Sequence, residues 1–536
     1  MSVFIGYPSF MAYQMMKGKK DNNEGFPTIS GTIARYSALG LTNEEMSKNP
    51  VWVDKTGNGH DLQLKNFSWK GMSGVGGYGD ENHQTFYKFT LDDYVFIASP
   101  PGVKHMNFTF RVTGLQPGNK LTLAFFGTMN TVYGTWNKDG IYTVDADIVE
   151  AGKPTYFYNG YGATRGEFTI EILPLYPGAL VFDGVDDYGT CDNFPILTKE
   201  KGYTVVALRQ WITRGEGTLG LISNVKIWFQ DGAFVLEFRD TIVNQSNNPI
   251  SFGAVGSEMD LPHILTYQTS KSYNGVSITT GSFKGTDVLH VGKLAMTGFG
   301  GNYANAAIWE LVFLDHDATE EELTKIKDYF IKTYPWLFPD QAWTVTGKTN
   351  EDEDRATIAN ITGNGNDLIL SNFGFVEGSG YNEEGEYAGY LVTDGVDDKI
   401  VSSSFGMGKD FTIVGDWKFI DNKKSGTGLV KGSSFYIYNT MTGLDLYINS
   451  GSVKNSLDGI KSINAACSDG RAYDRNWNEI LANTGNVVGS GGILEVSSGG
   501  GRFDRIAFKN LAIYPRILSK DDCIKAYNYL QTLKAK

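Results

Sequence analysis

The chain has 536 residues, 41% of them apolar and 13% aromatic, with 65 glycines and a formal net charge of −13. That acidic balance excludes the basic footprint of a nucleic-acid binder, and no run of about 18 apolar residues is present to span a membrane. Glycine at nearly twice its usual share of about 7%, combined with short alternating apolar runs, predicts many strands joined by tight turns.

Residues 1–30 begin MSVFIGYPSFMAYQMMKGKK, where Pro8 and Gln14 interrupt the apolar part and the positive charges follow it. A secretory signal needs the opposite order, so none is expected. The stretch reads either as an anchoring, partner-contacting arm or as a frayed terminus. From Gly31 onward the sequence is that of one unit used twice. GLTNEE at 40–45 matches GKTNED at 347–352, and TGNGHDLQLKNF at 56–67 matches TGNGNDLILSNF at 362–373. LVFDGVDD at 180–187 matches LVTDGVDD at 391–398, and LVFLDHDATEEEL at 311–323 matches LAIYPRILSKDDC at 511–523. The copies are offset by 306 residues at Thr56 and Thr362 but by 211 at Asp183 and Asp394. The 95-residue difference places an inserted domain in the first copy alone.

In the turns at 57–59 and 363–365, Gly-Asn-Gly supplies residues that tolerate positive φ before DLQLKNF and DLILSNF enter strands. Gly74 to Gly79 fits G-x-G-x-x-G, but no helical periodicity follows, so it reads as a loop and not as a dinucleotide fingerprint. Within the insert, FTFRV at 108–112, LTLAF at 121–125 and FTIEI at 168–172 alternate as half-buried strands do. With a turn at 116–119, they predict a small antiparallel β-sandwich. YTVVALRQW at 203–211 then pairs with FTIVGDWKF at 411–419. The hairpin at 226–238, turning at Asp231-Gly232, corresponds to 435–448. Thr319 and Glu322 form a capping box for a helix to about Tyr334, with Leu323, Ile326, Phe330 and Tyr334 on its apolar stripe. Ser519 caps the second copy's helix, whose stripe is Ile524, Tyr527 and Leu530, and each stripe is expected to dock on its own sandwich. Pro335 and Pro339 mark the link between copies. The expected organisation is therefore an arm at 1–30, a first unit at 31–79 and 179–335, an insert at 80–178, and a second unit at 340–536.

The strand LVFDGVDDY, the many short strands per unit and the closing strand before T-x-E-E-L resemble the concanavalin A-like (laminin-G-like) jelly roll. The resemblance implies an all-β fold: two jelly-roll sandwiches, each closed by a C-terminal helix, with a small β-sandwich inserted in the first. TGNGHDL, YPGALVFDGVDDYGTCDNFPILTKEKGYT and GKTNEDEDRATI resemble virion proteins of bacteriophages infecting gut Bacteroidetes, including crAss-like phages. That resemblance implies a tail or head fibre or a decoration, localised to the virion and assembled in the host cytoplasm. Its implied partners are other virion proteins and host cell-surface glycans, in a homo-oligomer such as the trimer common among fibres. A purely architectural virion component and a glycan-degrading jelly roll are the alternatives.

Asp183, Asp186 and Asp187, with Asp394, Asp397 and Asp398, are the candidate metal ligands, since Ca²⁺ takes several oxygens. The same Asp-Gly and Asp-Asp pairs also read as turn chemistry, which is the preferred reading, and no other cofactor is expected. No catalytic set is found. The nearest run to the paired carboxylates of a glycosidase is Asp145-Ala146-Asp147-Ile148-Val149-Glu150, in the insert. His60, His83, His105, His263, His290 and His316 lack ligand spacing, and the chain is expected not to be an enzyme. Cys191, Cys467 and Cys523 are odd in number and far apart, giving neither a disulfide framework nor a C-x-x-C site. Sugar contact would use exposed aromatics, with Tyr158 to Tyr161 and Gly300 to Tyr303 the loops to inspect.

Overall fold

The computed structural model describes residues 25–78, 86–89, 94–97, 105–115, 118–125, 131–147, 155–159, 168–198, 200–213, 221–224, 235–236, 251–252, 263–268, 285–293, 303–385, 387–421, 426–431, 435–439, 443–448, 455–458, 462–481, 492–496, 498–499 and 502–535. The protein is all-β: among these residues only three α-helices occur, α1 (Asn43–Lys48), α2 (Glu320–Thr333) and α3 (Lys520–Leu530). The capping box of α2 is present, with Thr319 Oγ1 accepting from Glu322 N–H and Glu322 Oε2 accepting from Thr319 N–H. Ser519 caps α3 in the same way through Asp522 N–H.

The two copies share one strand order. In the first, a six-stranded sheet runs His263–Gln268, Thr204–Thr213, Asn305–Leu314, Leu180–Asp183 and Gly74–Val75, with Thr32–Ser37 also pairing onto Asn305–Leu314. In the second, Ile463–Cys467, Thr412–Phe419, Ile506–Tyr514, Leu391–Val392 and Gly380–Tyr381 follow the same path, and Gln341–Thr344 takes the place of Thr32–Ser37. A second sheet faces each of these. In the first copy it includes Ile222–Ser223, Leu289–Val291, Tyr188–Cys191, Leu62–Lys65 and Val51–Trp52. Tyr36, Leu180, Phe182 and Val205 from one sheet and Leu62, Leu64, Ile222 and Val291 from the other share one core. The described strands between Phe86 and Ile172 form two further four-stranded sheets around Phe110, Leu121, Leu123, Phe157 and Ile170. The hairpin turn at Asp231-Gly232 and the turn residues Gln116-Pro117 lie outside the described residues. The corresponding hairpin of the second copy, Phe435–Asn439 with Gly443–Ile448, is antiparallel.

The alternation of a half-buried strand fails at Asn305–Leu314 and Ile506–Tyr514, which are buried on both faces. Ala306, Ile308, Leu311 and Phe313 fill the sandwich core, while Ala307, Trp309, Val312 and Leu314 belong to a different cluster. That cluster contains α2, α3, Trp336 and the outward face of the second copy's sheet, including Val414, Ala465, Ala512 and Tyr514. The helices therefore close on their own sandwiches and also on each other's. Trp336, in a 3₁₀ turn at Pro335–Leu337, is the wedge: its carbonyl accepts from Tyr514 Oη at 2.8 Å, and Lys525 Nζ lies 4.2 Å from its ring. Asn528 Nδ2 of α3 also donates at 3.3 Å to Pro174 O, in the stretch that returns from the insert to the first copy.

Residues 1–24 lie outside the described residues, but Phe26 and Ile29 are buried, and Phe26 meets Tyr329 of α2 edge-on at 5.1 Å. Phe26 also covers the guanidinium of Arg35 at 4.4 Å. This apolar and cation–π contact ties the start of the described chain to the first sandwich.

Candidate functional site

The repeated LV-x-DGVDD stretch leaves the sheet at the same edge in both copies and is built from the same hydrogen bonds. Asp183 Oδ1 accepts from Val185 N–H at 2.7 Å and from Asp186 N–H at 3.3 Å. Asp187 Oδ2 accepts from Asp183 N–H at 3.1 Å, and its Oδ1 accepts from Ser73 Oγ at 3.1 Å. In the second copy Asp394 Oδ1 accepts from Val396 and Asp397 N–H at 2.7 and 3.3 Å. Asp398 accepts there from Asp394 N–H at 2.8 Å and from Ser379 Oγ at 3.1 Å. Asn66 and Asn372 clamp the turns from outside, donating to the carbonyls of Asp186 and Asp397. Gly184 is needed at φ +79°, where a Cβ would also lie 2.7 Å from Asn305 Cβ.

Each turn brings its three carboxylates together, with one oxygen of each within 4.8 Å of the others. Among the described residues these two turns are the groupings of three or more metal-type side chains. Calcium takes about six to eight oxygens, yet Asp183 Oδ1 and both oxygens of Asp187 are already used by the turn. Asp183 Oδ2 and the exposed Asp186 carboxylate are the oxygens that the turn's own hydrogen bonds do not engage. The arrangement is that of a self-closing turn, and adding about 5 mM CaCl₂ is expected to leave the melting temperature unchanged. A rise of several degrees would assign the cluster to the cation.

Burial, followed by the charge of Asp183, pushes the Asp187 carboxyl up to about 7, and burial pushes Asp398 up to about 6. Both folded values lie above the ordinary carboxylate value of about 3.9. The native state therefore holds protons that the unfolded chain releases. This contribution is full below about pH 4 and is lost as pH rises through 6 to 7, with a slope of up to about 1.4 kcal/mol per pH unit for each group. Asp187→Asn keeps an oxygen for Asp183 N–H and offers an amide N–H to Ser73 Oγ. It is expected to melt higher than the parent at pH 8 and to flatten the decline between pH 5 and 8. A lower melting temperature at pH 8 with an unchanged slope would contradict this.

Beside the first copy's turn lies an aromatic pair with a cation. Tyr188 follows Asp187, and on its strand Gly189 and Cys191 point inward while Tyr188 and Thr190 alternate outward. Tyr303 precedes Asn305, the register partner of Asp183. The two rings are 6.2 Å apart at 42°, and Lys293 Nζ lies 4.3 Å from Tyr188 and 5.1 Å from Tyr303. All three are half-exposed. The second copy keeps the theme with its parts exchanged: Lys399 stands where Tyr188 does, with Nζ 5.7 Å from the ring of Phe503. Val185 and Val396, each 69% exposed, hold an apolar tip in solvent beside each site. Half-exposed aromatic faces beside carboxylates and an ammonium are what a sugar's apolar face and hydroxyls require.

Of the two aromatic loops singled out in the sequence, Tyr303 takes part in this cluster. Gly160, Tyr161 and Gly300 to Asn302 lie outside the described residues. Tyr188 was missed, although it is the first outward position after the repeated turn. The acidic run of the insert ends in residues 148–150, also outside the described residues. His290 alternates outward between the core residues Leu289 and Val291, and desolvation there, followed by the charge of Lys293, lowers it to about 4.

No protein-family model and no curated protein matches this chain. Solved structures do match. A mutant of Trypanosoma rangeli sialidase displaying trans-sialidase activity shows 11% identity over 51% of this chain and 49% of its own, with a TM-score of 0.29. Trypanosoma rangeli sialidase in complex with sialic acid shows 11% identity over 77% of each chain, with a TM-score of 0.27. The binding domain of botulinum neurotoxin serotype D shows 10% identity over 65% of this chain and 89% of its own, with a TM-score of 0.23. Six of the matching structures are sialidases, which corrects the expectation that the chain is not an enzyme. That expectation rested on missing sequence motifs, and such motifs do not transfer between unrelated sites. At these TM-scores the likeness carries no argument for a particular activity or site.

Proposed function

We propose that this chain is a surface protein of a bacteriophage particle, a fibre or decoration, whose duplicated sandwiches contact host glycans. The observation that carries the reading is the Tyr188–Tyr303–Lys293 cluster, set beside a carboxylate turn at the edge of the first sandwich. The reappearance of an aromatic–cation pair at the equivalent edge of the second copy supports it, as does the resemblance of the TGNG and DGVDD segments to virion proteins of phages infecting Bacteroidetes. Two like sites on one chain would add avidity to weak individual contacts.

The test is binding of labelled full-length protein to intact Bacteroidetes cells and to the same cells stripped of capsule. Binding that disappears with the capsule is expected. Equal binding to both would replace the glycan with a protein receptor, and binding to neither would leave the architectural role in the particle. Release of reducing ends, measured in parallel on capsular polysaccharide, separates holding the glycan from cutting it.

A further inference from the structure

The strand Tyr188–Cys191 has the aromatic cluster at one end and a cleft of about 370 Å³ at the other, next to the TGNG turn. Asn58, His60, Ile196, Thr198, Lys201 and Asp315 line it. Hydrogen bonds fix its walls. Asn58 Nδ2 donates to the carbonyls of Ile33 and Thr32 at 2.8 and 3.2 Å, and Tyr36 Oη donates to the carbonyl of His60. Phe194 N–H donates to Asp287 O at 2.9 Å, and Gly285 N–H donates to Leu197 O at 2.6 Å. Phe194 also meets the His60 ring edge-on at 5.7 Å. Gly31, at φ +77°, admits Asp315 to the rim, since a Cβ there would lie 2.0 Å from Asp315 Oδ1. The cleft is therefore preformed, and its volume falls at the lower end of the roughly 300–1,000 Å³ of small-molecule sites.

The second copy shows what the first has done with this place. There Asn366 stands where His60 does, and its amide donates to Gln341 Oε1 at 3.2 Å and accepts from Ser403 Oγ at 2.8 Å. His60 Nδ1, by contrast, is buried with no partner. Buried polar atoms are nearly always bonded, and the two copies differ at this one. Ten residues separate Phe194 from Thr204, but seven separate Phe405 from Thr412, and Pro515 stands at the place of Asp315. The longer stretch of the first copy carries Ile196, Thr198 and Lys201. Lys201 is exposed and pairs with no carboxylate among the described residues. Asp315 Oδ1 holds His316 Nδ1 at 3.1 Å, which leaves its Oδ2, and Asn58 keeps its Oδ1.

We propose that this cleft binds one carboxylate-bearing sugar residue of an acidic glycan. Lys201 meets the ligand carboxylate as a point charge, while Asp315 Oδ2 and Asn58 Oδ1 accept from its hydroxyls. Ile196, 49% exposed, gives the ring an apolar wall. A neutral sugar leaves the ammonium unpaired, and an anion without hydroxyls faces Asp315 with nothing to donate. A cation and a carboxylate around one cleft thus select a ligand that carries both functions. The inference extends the glycan reading given above, but it stands on a site separate from the Tyr188 cluster.

The experiment is calorimetric titration and saturation-transfer NMR of the full chain with glucuronate, N-acetylneuraminate and glucose. Millimolar binding of at least one acid is expected, and the tighter of the two names the source of the carboxylate. Glucose is expected to bind about tenfold more weakly or worse. Lys201→Ala, at an exposed position, should leave the melting temperature unchanged while weakening the acid about tenfold. The Tyr188→Ala, Tyr303→Ala double variant should keep the monosaccharide, so failure of this cleft and failure of the aromatic cluster are read separately. Four results would each overturn the proposal: neither acid binds, glucose binds as tightly as the acids, Lys201→Ala binds the acid like the parent, or the tyrosine double variant loses it.

Discussion

Glu310→Ala is expected to destabilise the first sandwich by about 3–5 kcal/mol. Glu310 is fully buried at the middle of the central strand, where its oxygens accept from Arg35 Nε and Nη2, each at 3.2 Å. Tyr329 Oη and Tyr334 Oη donate to the same carboxylate at 3.2 and 2.9 Å. Burial pushes the Glu310 carboxyl up while Arg35 pulls it back, so the pair stands only as a pair. Removing the carboxylate leaves a guanidinium buried beneath Phe26 and two hydroxyls short of an acceptor, and the loss is set by that uncompensated charge. Replacing both partners with apolar residues, as in Arg35→Met with Glu310→Leu, should cost much less than the sum of the single changes. Denaturant unfolding of the four proteins measures this directly. A Glu310→Ala variant within about 1 kcal/mol of the parent would mean that the network contributes little.

Tyr188→Ala and Tyr303→Ala are each expected to weaken cell binding about tenfold, the equivalent of about 1.4 kcal/mol. The double variant is expected to lose on the order of 100-fold if the two contributions add. The rings stand at the outer edge of the sandwich, so stability should change by no more than about 0.5–1 kcal/mol, mostly the lost contact with Lys293. That separation of binding from melting is the decisive readout. A double variant that binds capsulated cells as tightly as the parent would remove the cluster as the contact site. Lys399→Ala tests whether the second copy contributes: a drop confined to multivalent surfaces, absent with soluble oligosaccharide, identifies avidity.

Local chemistry is what the sequence determined by itself. Asp183 and Asp394 bond to backbone groups two and three residues away, Thr319 bonds to Glu322, and Gly184 and Gly395 supply positive φ within the same turns. Each of these interactions closes over a few residues, so the repeated DGVDD and the capping pair announced them, and many strands joined by tight turns followed from alternation and glycine content. What lay beyond reach was set by distance along the chain and by second faces. Arg35 meets Glu310 across 275 residues. A bulge opposite Leu208 and Arg209 breaks the period-two alternation of Asn305–Leu314, turning both Trp309 and Glu310 toward α2. Strands buried on both faces carry no polar side to read, which hid the core shared by the two copies around Trp336. Tyr188 and Tyr303 were brought together by the folding of one surface onto another, which decides which distant side chains touch.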